Sequence, residues 1–143
     1  MISTLLIAWC LLAVTVTIHA AGLSALLRGL PPALRDKRFA TVTWQILQIA
    51  WRLILLHLTG IAVWALFYWW RKCLPDAETS FYFSGVTYTS VGYGDVVLPK
   101  EWRLLGPLEG LTGILMCGLS TGFFFAAVSR FLGVKSTSEQ DRP

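Results

Sequence analysis

Three long apolar stretches alternate with short polar ones along this chain. Ile2 to Leu27 carries no Asp, Glu, Lys or Arg. As a helix it would reach about 39 Å, enough to cross a hydrocarbon core of about 30 Å. A cleaved signal peptide is the alternative, with Ala20-Ala21-Gly22 as the small-residue site. The missing basic leader and the length of the apolar run favour a retained helix. Arg28 to Ala40 interrupts the pattern with Pro31-Pro32 and with Arg28, Arg35, Asp36, Lys37 and Arg38, which predicts a loop. Thr41 to Trp70 is apolar apart from Arg52 and is too long for one simple crossing. Gln45, Gln48 and Arg52 share a helical face, and Trp44 and Trp51 suit the headgroup region. The expectation is an interfacial lead-in with Arg52 snorkelling to water, then a crossing over Leu53–Trp70 that ends in a belt of Trp64, Tyr68, Trp69 and Trp70.

Beyond a short loop at Arg71–Thr79, the segment 79–89 is helical in pattern but too short to span, and reads as a re-entrant helix. Its C-terminal end would aim a partial negative charge toward the membrane centre. The last apolar helix is expected over 104–132, with Gly133 as its C-cap. Pro107 either opens or kinks it. Glu109 suits the positive end of that helix, or bonds the back of the short one. Gly113, Gly118 and Gly122 thin the helix and allow close approach or bending.

Composition narrows the class. Of 143 residues, 55% are hydrophobic and 14% charged, against about 25% charged in a soluble domain. This is the composition of an integral membrane protein of one domain, and the helical stretches above make its expected fold class all-α. The net charge of +4 does not point to nucleic acid, because the basic residues flank apolar stretches; topology and anionic membrane lipid account for them. Cys10, Cys73 and Cys117 lack metal spacing, and Cys73 alone could reach a loop where a bridge between subunits is conceivable. His19 and His57 lie in separate apolar stretches and read as packed residues. No enzyme constellation and no cofactor site is expected. Arg52 stands alone, whereas a voltage sensor needs several arginines at three-residue spacing.

Thr89-Ser90-Val91-Gly92-Tyr93-Gly94-Asp95 departs from all of this. Glycines at alternate positions allow φ > 0, so carbonyls can take directions an ordinary strand forbids. Non-helical backbone at membrane depth is tolerated only where protein buries it or water lines it. A row of carbonyls ending in a hydroxyl offers hard oxygen ligands to a hard cation.

Ser90 to Asp95 resembles the selectivity-filter signature of potassium channels, in which threonine is commoner at the place of Ser90. The resemblance covers about Leu53 to Leu132. It implies three transmembrane helices, a re-entrant pore helix at 79–89, a filter at 90–95 and an inner helix at 104–132. Residues 1–40 would add a helix and a basic loop to the pore domain of 41–133, with its outer helix at 41–70, and 134–143 would form a short cytoplasmic tail. One chain carries one filter segment, so a homotetramer is implied. K+ would be held at Ser90, Val91, Gly92 and Tyr93, with Gly94 completing the filter. Thr89, Asp95, Tyr82 and Phe83 would support it, and Gly118 would serve as the gating hinge. Val86 stands where some relatives place a glutamate that pairs with the filter aspartate, so Asp95 needs another partner, Trp102 or a pore-helix hydroxyl. On this topology eight basic residues lie inside and four outside, with the N-terminus outside and the C-terminus in the cytoplasm, in the cell's inner membrane. A weakly selective cation channel and a non-conducting channel-like subunit are the alternatives.

Overall fold

The structure is a computed structural model that describes residues 2–30 and 38–132. The loop around Pro31-Pro32, the Gly133 cap and the tail at 134–143 lie outside the described residues. Four helices form the described chain: α1 (Ile2–Arg28), α2 (Phe39–Trp70), α3 (Ala77–Tyr88) and α4 (Leu105–Leu132). Helix is dictated by the solvent, since backbone N–H groups in hydrocarbon need acceptors within their own segment. By length and apolar composition α1, α2 and α4 are each able to cross a membrane. The twelve-residue α3 is not.

α2 runs unbroken for 32 residues, about 48 Å. The lead-in and the crossing expected within the outer helix at 41–70 are continuous in this one helix. It contains no proline, and its sole glycine, Gly60, lies against the Tyr88 side chain. The expected aromatic belt divides. Trp64 and Tyr68 are fully buried in the core, and only Trp69 and Trp70 face outward. Pro107 is the third residue of α4, where its missing N–H removes no helical bond. It opens the helix and does not kink it.

α3 begins at Ala77 because Asp76 caps it, accepting from the Thr79 amide at 2.8 Å and the Thr79 hydroxyl at 2.8 Å. The Thr79 amide and hydroxyl hold the Asp76 carboxyl below its ordinary range.

The core is stacked in three levels. At the end carrying residues 71–104, which we call the upper end, Trp64, Tyr68, Leu74, Phe83, Leu98 and Leu105 pack together. Ile61, Tyr88 and Met116 fill the middle. Ile49, Leu53, Ala127 and Phe131 close the lower end, with Phe123 and Phe124 against them, whereas Phe125 is exposed. Cys73 sits in the upper core at 5% exposure, so a bridge to another subunit would require that core to open.

α1 flanks α2 and α4 through a polar seam. Three of its four buried residues are Thr4, Thr15 and His19. Thr15 accepts from the Trp64 indole at 3.1 Å while donating to the Leu11 carbonyl at 2.8 Å. His19 Nε2 and Ser120 Oγ are hydrogen-bonded at 2.9 Å.

Candidate functional site

The C-terminal end of α3 is held tightly. Gly60 leaves room for the Tyr88 side chain, and a Cβ at Gly113 would collide with the Tyr88 carbonyl. Glycine at 113 thus lets α4 touch the α3 backbone. Below Tyr88, the Thr89 amide donates to Gly85 O at 3.1 Å, the Ser90 amide to Thr87 O at 2.9 Å and the Gly92 amide to Val86 O at 3.0 Å. The Thr89 hydroxyl folds back onto Gly85 O at 2.7 Å. These bonds satisfy the last carbonyls of the helix, and Ser90, with φ of 62°, supplies the left-handed residue that ends it.

From there the backbone alternates in hand. Ser90, Gly92 and Gly94 have φ of 62°, 56° and 77°, while Val91 and Tyr93 between them are not in the left-handed region. Glycine enters this region freely; a serine there is strained, at a cost of about 1 kcal/mol or more. Val91 and Tyr93 project outward, 53% and 71% exposed. Apolar and aromatic side chains so placed are surface awaiting a partner.

The far end of the segment is tied to the middle of α3. The Tyr82 hydroxyl donates to Asp95 Oδ2 at 2.7 Å, and the Val96 amide donates to Asp95 Oδ1 at 3.0 Å. The hydrogen bond from Tyr82 holds the Asp95 carboxyl below its ordinary range. The partner of Asp95 is therefore a hydroxyl of the short helix α3 and not Trp102, which meets Phe67 edge-on and lies under the Arg71 guanidinium. Tyr82 and Phe83 face different ways. Phe83 is buried, edge-on to Tyr68 at 5.4 Å, and braces the helix.

Behind α3 lies a buried polar network. The Tyr68 hydroxyl donates to Glu109 Oε2 at 2.7 Å. Ser84 contacts Glu109 Oε1 and the Ile61 carbonyl, the latter at 2.9 Å. Ser84 has one hydroxyl hydrogen and two acceptors beside it; both contacts are hydrogen bonds at once when Glu109 carries a proton and donates to Ser84 Oγ. Glu109, with no exposed surface, thereby joins α4 to α2 and α3. One level lower, His57 Nδ1 lies 3.4 Å from the Tyr88 hydroxyl, and its ring lies tilted against that of His19 with centroids 4.9 Å apart. Gly118 and Gly122 have open space where a side chain would go.

Residues 53–130, more than half of the chain, match the family model described as an ion channel. The chain belongs to this ion channel family. The match takes in most of α2, all of α3, the glycine segment and nearly all of α4, so the elements that hold residues 89–95 in this channel are those the family shares. α1 lies outside it. Comparison with curated proteins and with solved structures gives no match.

Ser90 to Asp95 thus form one extended segment of the channel, with Thr89 at its lower anchor and Tyr82 at its upper one. Phe83 braces α3 from the core side, and Gly118 lies in α4. Sequence reading assigned no partner to Ser84 and Tyr68, although a signal existed: Ser80, Ser84 and Tyr88 recur every four residues, and all three are buried. A polar stripe on the covered face of a short helix calls for polar partners behind it.

Proposed function

We propose that this chain is a potassium-selective channel in which four copies surround one pore, each contributing residues 90–94. The observation that carries this reading is the reversal of hand at Ser90, Gly92 and Gly94. In an ordinary strand successive carbonyls point to opposite sides. A left-handed residue at every second position cancels that alternation, so carbonyls of Ser90, Val91, Gly92 and Tyr93 can face one axis. Four such rows, with the Ser90 hydroxyls below, replace the water shell of a dehydrating K+. Repulsion between ions in adjacent sites keeps any one from binding too tightly to leave.

A single chain offers one row, and its Val91 and Tyr93 side chains lack cover, which supports closed fourfold assembly. Thr89, Asp95 and Tyr82 fix the two ends of the row, and Phe83 fixes the helix behind it. Gly118, unobstructed by neighbours, is the proposed hinge of the inner helix α4. The excess of basic residues at the lower end supports a topology with that end in the cytoplasm and the N-terminus outside the inner membrane.

The test is ion flux from liposomes containing only this protein, under potassium and then sodium gradients. Potassium flux far above sodium is expected. Gly92→Ala, which forces a Cβ onto a residue at φ of 56°, should abolish it while the oligomer survives in detergent. Equal potassium and sodium flux would mean a weakly selective pore. No flux from the intact oligomer would favour a closed gate, a missing partner or a non-conducting subunit, and undiminished flux in Gly92→Ala would refute the filter assignment.

A further inference from the structure

Arg52 is the only formally charged side chain in α2 and is exposed. Nothing in the pore reading gives it a task. Trp70, at the upper end of α2, lies 18 residues above it, about 27 Å along the helix. With Trp69 and Trp70 at one hydrocarbon boundary, Arg52 falls at the other, where lipid phosphates begin.

Two grooves meet at this guanidinium. On its headgroup side is a groove of about 430 Å³ lined by Trp44, Leu47, Gln48 and Trp51. Its polar groups include the Gln48 amide and two indole N–H donors, and no carboxylate among the described residues lines it. On its hydrocarbon side is a groove of about 410 Å³ between α1 and α2, floored by Gly22, Ala25, Leu26, Leu55 and Leu56. Within it Gly22 lets Leu56 pack closely against α1, and Ala25 lines the groove beside them. Arg28, Arg38 and Arg130 lie at the same end of the bundle, whereas among the described residues every acidic side chain belongs to the upper half. The charge around the pair of grooves is one-sided.

We propose that this pair of grooves binds an anionic phospholipid. Its phosphate meets the Arg52 guanidinium and the Gln48 amide, the two tryptophans flank the headgroup, and an acyl chain lies along Gly22, Ala25 and Leu56. The occupant is anionic because a single exposed cation with donors and no acid selects negative charge. It is a lipid because the adjoining groove is apolar and continues into the hydrocarbon. Bound there, it bridges α1 to the helix that carries the pore.

The experiment is native mass spectrometry of the full-length protein in neutral detergent, titrated with phosphatidylglycerol and with phosphatidylcholine of the same chains. Phosphatidylglycerol should bind about fivefold tighter, the worth of one interfacial cation. Arg52→Gln should erase that preference and Arg52→Lys should keep it. Ala25→Phe, at an exposed position, should fill the chain groove and weaken both lipids. Equal binding of the two lipids by the unmodified protein would overturn the proposal, as would an undiminished preference in Arg52→Gln. Exclusion of lipid from the oligomer would overturn it too, by placing a neighbouring subunit over the grooves. None of these readings uses ion flux, so the pore assignment and the lipid site stand or fall separately.

Discussion

Replacing Gly113 by alanine is the sharpest probe of how the glycine segment is held. The added methyl would lie 2.7 Å from the Tyr88 carbonyl carbon and 3.1 Å from its Cα, and closer still to the carbonyl oxygen. Carbon atoms in contact rest at about 3.5–4.0 Å. The obstacle is backbone, so no rotamer change relieves it, and α4 must retreat from α3 by about 1 Å. Overpacking of this kind costs about 1–3 kcal/mol. For a domain of this size that lowers the melting temperature by about 5 °C. Gly118→Ala is the matched control for stability, because nothing lies within 4 Å of its added methyl and alanine favours helix by about 1 kcal/mol. Thermal melting of the purified oligomer in detergent measures both, and the flux assay reads the displacement of Tyr88, two residues before Ser90. Gly113→Ala should melt well below Gly118→Ala and lose most of its flux. Should Gly113→Ala melt with the unmodified protein and conduct equally well, the close approach of α4 to Tyr88 would be disproved.

Two other perturbations test the ties around the segment. Glu109→Gln should change stability by less than about 1 kcal/mol, since an amide can donate to Ser84 and accept from Tyr68; Glu109→Ala leaves both hydroxyls unpaired in the core and should cost about 2–4 kcal/mol by melting. A Glu109→Gln protein as unstable as Glu109→Ala would contradict the hydrogen-bond count. At the upper end the Asp95 carboxyl is depressed by the Tyr82 hydroxyl, so the tie is fully present above the ordinary value of 3.8 and is lost as pH falls through the depressed one. Tyr82→Phe returns Asp95 toward its ordinary range. Loss of flux on acidifying the upper side should then begin at higher pH, and an unshifted pH profile would rule out the tie as the cause.

The sequence carried the frame of this channel because lipid imposes it. Runs without charge had to be helices, and a run as short as Thr79–Thr89 could not cross. The glycine segment was legible for a different reason: glycine alone enters without strain the left-handed backbone found at 92 and 94, so the conformation is written in the residue type there, whereas the same hand at Ser90 is not. What stayed hidden depends on three helices meeting. Glu109 could be read as favouring the start of α4, yet that it receives the Tyr68 hydroxyl follows only from helix rotations that no local period encodes. The same holds for Trp64 and Tyr68, whose aromatic character fits a lipid boundary as well as a core. The outer helix of 41–70 was legible as one long run, while the polar face over Gln45–Arg52 made its lower part resemble an interfacial helix, though nothing there stops the helix from continuing.

The polar seam of α1 bears on how far the channel can be reduced. A pore trimmed to the stretch shared with its family would leave Ser120, the Trp64 indole and one face of His57 turned toward hydrocarbon without the partners α1 brings. An orphaned polar group there costs about 1–3 kcal/mol. Such a fragment would insert, but it would recruit water or self-associate wrongly along that face. The minimal autonomous unit is therefore the three-crossing chain, and a transplant of this pore into another protein would have to carry α1 with it.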